Sequence, residues 1–396
     1  MRPLDGIRVL DLTNVLAGPF CCHQLAHLGA EVIKVEAAGR GDLARNLGAD
    51  PALNRAGMGV SFLAQNAGKK SVTVNLKTEA GRELLMRLVT TADVLVENFR
   101  PGVMDRLGVG YETLRAARPE LIYCAISGFG QDGPWVHRPA YDQIIQGASG
   151  VMSITGDADS APLRVGYPVA DTVGGLTAAM AISAALNAPR RGGFIDVSML
   201  ESVIATMGWA VSNWLIAGVE PTANGNENMT SAPSGAFMAA DGLINIAANK
   251  DEQWEILARH LGREDLIAHP DYATREDRKR NRLALKAEIE AALAARPARD
   301  WARELNRLGV PAGAVLSVPE VLAMPQIAER GLMATFPNAP GVGRDISVVR
   351  TGLKIDGEAP AVDTPPPELG ADNAEIYGAL GYTAEDLDRL AAEGAI

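Results

Sequence analysis

The chain is poor in the groups from which metal sites and disulfide frameworks are built. Its 396 residues include three cysteines and five histidines; Cys21 and Cys22 are adjacent and Cys124 is distant. Neither a disulfide framework nor a C-x-x-C pair is available, and no histidine lies in an H-E-x-x-H pattern, so no metal is expected and a reducing, cytoplasmic setting fits. Basic charge is also scarce, with 37 Lys and Arg against 48 Asp and Glu, a net charge of −11. That balance excludes the broad basic face of a nucleic-acid binder, so an anionic ligand must meet a local cluster. Long hydrophobic runs are missing too: the apolar stretches near 176–188 and 203–219 are broken by Thr, Ser, Asn or Trp. They fall short of the roughly 20 residues that span a bilayer, and MRPLDGIRVLDLT has no basic leader before an apolar core, so no membrane segment is expected. There is no G-x-S-x-G elbow for serine-based acyl transfer, and there are no internal repeats.

What is present is 47% hydrophobic residues, enough for packed cores, in a length that suggests more than one domain. GIRVLDLT reads as a strand, GPFCCHQLAHLG as a helix closed by Gly29, and AEVIKVE as a second strand. KKSVTVNL, EAGRELLMRLVTTA, DVLVENF, YETLRAARP and LIYCAISGFG continue the strand–helix alternation. Such alternation implies a parallel sheet with helices on both faces, hence an α/β, Rossmann-like large domain. ESVIATMGWAVSNWLIAG reads as one long helix, followed by the turn-rich PTANGNENMTSAPS. Beyond it, GAFMAADGLINIAA reads as a hairpin turned at Asp241-Gly242, opening a smaller α+β domain.

Several stretches carry polar groups suited to chemistry. The first strand–helix turn, NVLAGP at 14–19, lacks G-x-G-x-x-G although Glu36 ends the second strand; NAD is weakly supported, but the amides of Val15 to Ala17 at a helix start suit an anion. Lys69, Lys70, Lys77, Arg100 and Arg106 fall near expected strand edges, and Asn98, Phe99 and Pro101 lie beside them. An aromatic and an amide next to basic groups suit a phosphorylated adenine nucleotide, although each charge alone more often faces solvent. The loop SGFGQDGPWVHRPAYDQIIQGASG brings Gln131, His137, Arg138, Tyr141 and Asp142 to a glycine-rich segment long enough to border a site. Asp171, in GYPVADTVGG, stands between APLRVGYPVA, which reads as a strand or extended segment, and the helical LTAAMAISAAL. An aspartate there is a favoured helix cap, but Gly174 and Gly175 would weaken a first turn, and glycines permit close approach of a ligand.

In order, LDLTNVLAGPF, LGAEVIKVE, KKSVTVNLK, VENFRPGVMDRLG, SGFGQDGP and VADTVGG resemble the family III coenzyme A transferases, and NIAANKDEQW and GVPAGAV extend the resemblance to nearly full length. The resemblance implies a homodimer of two ring-like chains interlocked with each other. It divides the chain into 1–205, a connector at 206–230, a small domain at 231–328 and a return to the large domain at 329–396. Asp171 matches the family's nucleophile, and the coenzyme A contacts fall on Val15, Ala17, Val74, Lys77, Asn98, Phe99, Arg106 and Tyr141. Where several relatives have an arginine after the second-strand glutamate this chain has Ala37, which leaves Arg40 to take that contact. Backbone amides near Gly174 and Gly175, or at 231–236, are the candidate oxyanion donors.

The implied reaction moves coenzyme A from an acyl-CoA, with succinyl-CoA as a plausible donor, to a small carboxylic acid through an aspartyl-CoA thioester, with no tightly bound cofactor. TSAPSGAF replaces the glycine-rich lid of oxalate-specific members, which turns the expectation toward mesaconate, itaconate, malate, citramalate or glutarate. Two alternatives differ in kind. An α-methylacyl-CoA racemase would need histidine where PAYD has Tyr141, a poor proton shuttle at neutral pH. A coenzyme A-binding protein without turnover would have no evident use for Asp171.

Overall fold

The computed structural model describes residues 2–396. Contacts divide the chain into two compact units, one comprising the chain up to Val151, Arg164–Glu220 and Pro325–Ile396, the other Met152–Leu163 and Pro221–Met324. The excursion Met152–Leu163 has no counterpart in the division expected above; a backbone bond from the Gly225 N–H to the Gly156 carbonyl, 2.7 Å, helps to tie it into the second unit.

In the first unit a six-stranded sheet is formed by β1 (Arg8–Asp11), β2 (Glu31–Glu36), β3 (Lys69–Thr73), β4 (Val94–Glu97), β5 (Ile122–Ser127) and β6 (Gly193–Ser198). Their order is β3-β2-β1-β4-β5-β6, and every neighbouring pair is parallel. Alternation along each strand sends successive residues to opposite faces. Val9, Val32, Val94 and Ile122 enter one core with the helices Ala17–His27 and Val169–Leu186. Leu10, Ile33, Leu95 and Tyr123 enter the other with the helix Glu79–Val89 and the late helix Asn373–Ala379. Because both faces are covered, the central strands read as unbroken apolar runs. The C-terminal segment is tied to the sheet by Tyr377, whose hydroxyl donates to the Thr73 carbonyl at 2.7 Å.

Four local expectations change. β6 went unread because GGFIDVS alternates weakly and lies at the sheet edge, with Phe194 42% exposed. Residues 161–168 form no strand; Pro162 and Pro168 lack the N–H that a ladder needs. The long helix after β6 is two helices, Met199–Thr206 and Gly208–Ala217, divided at Met207 just before a glycine. Finally, Val169–Leu186 is long and apolar enough by length and composition to cross a membrane. It carries Asp171 in its first turn and packs against Ala17–His27 and Met199–Thr206, so part of its apolar surface serves helix packing.

The second unit holds β7 (Ser234–Met238), β8 (Leu243–Ala247) and β9 (Ala312–Ala314) in an antiparallel sheet, with the β7–β8 connection turning at Asp241-Gly242. Its core gathers Phe237, Trp254, Leu257, Ile289, Trp301 and Leu305. A separate hairpin of β10 (Met333–Phe336) and β11 (Ile346–Val349) belongs to the first unit.

Candidate active site

The strand order reverses between β1 and β4: the chain leaves β1 toward β2 on one side and continues from β4 to β5 on the other. In open parallel sheets a crevice forms beyond the carboxyl ends at such a point. Here it is a cavity of about 820 Å³, walled by the residues that follow β1 to β5. Val15, Ala17, Arg40, Val74, Lys77, Asn98, Phe99, Tyr141 and Asp171 all line it, as do Ala37, Arg100 and Arg138. Arg106 does not line it; it is exposed at the end of the short helix Val103–Arg106. His137 is likewise exposed and away from the wall.

Two lysines of the expected basic cluster do other work. Lys69 is 3% exposed and paired with Asp11 at 2.8 Å, and Lys70 bridges Glu31 and Glu375 at 2.9 and 2.7 Å. Their alternation along β3 turns one into the fold and the other toward carboxylates, so the cationic wall consists of Arg40, Lys77, Arg100 and Arg138. Asn98 is also a clamp: its Oδ1 accepts the Asn14 N–H and its Nδ2 donates to the Asn14 carbonyl, both at 2.8 Å. It joins the loops after β1 and β4 as a continued strand pair would.

Asp171 is the third residue of its helix, whose cap position is Pro168 and has no side-chain acceptor. The missing cap is supplied from the helix Asp142–Ala148: Asp142 Oδ1 accepts the N–H of Ala170 at 2.8 Å and that of Asp171 at 3.4 Å. The other oxygen of this buried carboxylate accepts from Gln146 Nε2 at 2.7 Å and pairs with Arg164 at 3.5 Å. Burial, and then the adjacent Asp142 charge, push the Asp171 carboxyl up to about 7. An under-solvated carboxylate poised near neutrality is suited to nucleophilic attack.

Gly174 and Gly175 serve packing rather than ligand approach. A Cβ on Gly174 would come within 2.9 Å of Met199 Cγ, and one on Gly175 within 2.5 Å of the Ala17 carbonyl oxygen. Both lie inside the helix, where amide groups are committed to the preceding turn, so they do not provide the oxyanion donors expected from the sequence. A different set stands nearer. Gly175 follows Asp171 by one turn on the same helix face, so its contact with Ala17 brings the start of the helix Ala17–His27 beside Asp171 on the cavity wall. The cap position of that helix is Leu16, which offers no acceptor, so no side chain caps its first-turn amides, which carry the positive end of the helix dipole. Among the described residues no group of three or more His, Cys, Asp or Glu stands together as metal ligands.

A parallel-sheet switch point with a cationic wall and one perturbed aspartate suits a large anionic ligand and acyl chemistry. Over residues 4–373 the chain matches the family model described as CoA-transferase family III. The chain belongs to that family. This CoA-transferase is 42% identical to the acetyl-CoA:oxalate CoA-transferase of Acetobacter aceti over 335 residues, 84% of its own length and 85% of the relative's. It is 36% identical to the succinate–glutarate CoA-transferase of Agrobacterium fabrum, covering 98% of its own length and 97% of that protein. A crystal structure of a CAIB/BAIF family protein from Brucella suis superposes with a TM-score of 0.84 at 35% identity, covering 96% of the transferase and 99% of that chain.

Sequence reasoning named one carboxylate at the transferase's cavity without its role, and missed another. Asp142 was visible in PAYD, but its cap acts across 28 residues of separation, which no local pattern encodes. Asp42, in GRGDLAR, caps a short turn through the Ala44 N–H at 2.9 Å, a local signal that was legible; its further bond to Val15 was not.

Proposed function

We propose that the transferase moves coenzyme A from succinyl-CoA to a short dicarboxylic acid through an aspartyl-CoA thioester on Asp171. The observation that carries the reading is a single half-buried carboxylate, poised near neutrality, in the cavity shared by the cationic residues and the open helix start. A coenzyme A phosphate chain would meet Lys77, Arg40 and Arg100, with the adenine against Phe99, and the thioester would reach Asp171 beside Tyr141.

The proposed chemistry begins when an Asp171 oxygen attacks the thioester carbonyl and the C–S bond breaks, leaving a mixed anhydride and the coenzyme A thiolate. The thiolate then attacks the aspartyl carbonyl, and the donor acid departs with the bridging oxygen, which came from Asp171. The acceptor carboxylate attacks the aspartyl thioester, expelling the thiolate again. The thiolate takes the acceptor's acyl carbon, and Asp171 is restored with one oxygen from the acceptor. A carboxylate nucleophile thus divides one difficult exchange into easier steps. The open amides at Leu16 and Ala17 are suited to the oxyanions, at a few kcal/mol per donor as an order of magnitude, roughly 3 kcal/mol.

An acceptor acid labelled with heavy oxygen tests this route. After many turnovers the peptide containing Asp171 should carry the label and no other peptide should. Confirmed transfer without label defeats the covalent route. The substrate choice is tested separately with purified enzyme, a panel of acyl-CoA donors and free acids, and mass spectrometry. Glutarate, mesaconate and citramalate with succinyl-CoA should exceed acetyl-CoA with oxalate, and the reverse ranking overturns the substrate reading.

The interlocked homodimer is part of the same proposal. The helix Gly208–Ala217 has no buried residue, and it exposes Trp209 and Ile216 at 84% each, beside Leu215 at 74%. Leu176 and Met180 leave a second apolar patch on the Asp171 helix. Such contiguous apolar surface marks an interface. Light scattering at sub-micromolar concentration should show a dimer; a folded, active monomer there contradicts it.

A further inference from the structure

Beneath the first strand–helix turn lies a group of charges that the transfer steps do not use. Asp11, Lys34 and Asp42 are at most 1% exposed and Lys69 is 3% exposed. Lys69 Nζ stands 2.8 Å from Asp11 Oδ2, and Lys34 Nζ stands 2.9 Å from Asp42 Oδ2 and 3.9 Å from Asp11 Oδ2. Two cations and two anions balance one another. Buried ion pairs are weak devices for stability, since well-packed apolar residues often serve as well. What distinguishes this set is that its spare bonds converge on the main chain of 13–19. Asp11 Oδ1 accepts the Thr13 N–H at 3.0 Å, Lys34 donates to the Thr13 carbonyl at 2.9 Å, and Lys69 donates to the Pro19 carbonyl at 2.9 Å.

The remaining bond falls on the most strained residue of the turn. Val15 has φ of 69°, in the left-handed region, and a β-branched side chain there is a genuine outlier that its surroundings must enforce. Its N–H donates to Asp42 Oδ1 at 2.9 Å. Directly after it come Leu16 and Ala17, at the open helix start on the cavity wall.

We propose that Asp42 is a positioning residue for the acyl-CoA: one carboxylate oxygen holds Val15 left-handed, Lys34 holds the other, and the amides of Leu16 and Ala17 are thereby aimed into the cavity. A carboxylate is required because the site presents donors at both ends, the Val15 and Ala44 amides at one and the Lys34 ammonium at the other. An asparagine has a single acceptor oxygen. The ammonium claims it, and the amide NH2 then confronts the Val15 N–H. The proposal rests on the coenzyme A reading of the cavity.

The test is Asp42→Asn, made in the parent and in a Val15→Gly background, where glycine adopts the left-handed conformation unaided. In the parent, kcat/KM for acyl-CoA should fall by about 30-fold, the order expected for losing a hydrogen bond to a charged group. In the glycine background the same change should cost about 3-fold or less, whatever Val15→Gly costs by itself. KM for the acceptor acid should stay within about twofold, since amides that meet the oxyanions act on kcat and the turn does not hold the free acid. An equal loss in both backgrounds overturns the positioning role. Should Asp42→Asn fold poorly, Lys34→Gln with Asp42→Asn removes the unpaired charge and frees the amide oxygen for Val15. Acyl-CoA affinity should then lie within about fivefold of the parent's, and a folded double variant more than tenfold weaker overturns the role. A parent enzyme that binds no acyl-CoA by calorimetry overturns the coenzyme A reading and this proposal together.

Discussion

Two helix starts line one cavity and are treated in opposite ways. The helix Ala17–His27 has leucine at its cap position and leaves its first amides open, whereas Val169–Leu186 has its first amides filled by Asp142 from another helix. An open start lowers the cost of a nearby negative charge. Had the Asp171 carboxylate accepted hydrogen bonds from such amides, it would have been held low, a stable and sluggish nucleophile. Instead burial, and then the Asp142 charge that fills the helix end, push Asp171 up to about 7. On the proposed reading the contrast divides the labour: one helix end is kept for an incoming anion, the other is occupied so that the resident carboxylate is left under-stabilised.

The largest effect should come from removing that carboxylate. Asp171→Asn should lower kcat by about 10⁴-fold or more while coenzyme A affinity changes by less than about fivefold, because an amide keeps the shape and is a far weaker nucleophile. Steady-state kinetics beside calorimetry check this, and residual turnover within tenfold of the parent would sink the role. Occupying the open end should be the next most costly change. Leu16→Asp places an acceptor and a negative charge at the vacant cap, so acyl-CoA should bind about 10-fold more weakly while the fold is unchanged or slightly more stable. Unaltered affinity would mean that the amides there do not meet the ligand.

Emptying the filled end should act mainly on pH dependence. The parent's kcat/KM should fall tenfold per unit below about pH 7 and level off above it, as the ionised form of Asp171 is depleted. Asp142→Asn removes the like charge, so the midpoint should move down by about one unit, with the plateau within about tenfold. A midpoint that does not move would assign the whole shift to burial. The smallest effect is thermal. A carboxyl whose folded value is raised adds stability below its unfolded value, and that contribution is lost as pH rises through about 7. Asp171→Asn should therefore melt roughly 2–4 °C above the parent at pH 8, with the margin shrinking at pH 5. Calorimetry at the two pH values decides it, and a parent more stable at pH 8 reverses the sign.

The legible parts of the molecule were those in which the signal is local. β1 to β5 announced themselves as short apolar runs between helical segments, since a sheet covered on both faces requires them. Val15, Ala17, Arg40, Val74, Lys77, Asn98, Phe99, Tyr141 and Asp171 came together because parallel strands place their carboxyl ends along one edge, so motifs far apart in sequence share a wall. The illegible parts were matters of direction. Lys69 and Lys70 are neighbours of identical type, yet one is buried against Asp11 and the other is shared by Glu31 and Glu375. Arg106 and Arg100 lie six residues apart, and only Arg100 turns to the cavity. β6 was hidden because an edge strand tolerates polar and glycine residues that an interior one would not.

The amino-acid sequence by itself determined the class of fold, the net acidic charge and the candidate nucleophile, because periodicity, net charge and motif order are properties of the chain before it folds. Tertiary structure alone decided what each group does. It assigned Gly174 and Gly175 to helix contact, converted Asn98 into a clamp, and brought Asp142 to the start of the Asp171 helix and Asp42 to the turn at Val15. The physical reason is the same in each case: capping, desolvation and ion pairing act over about 3 Å in space and have no period along the chain.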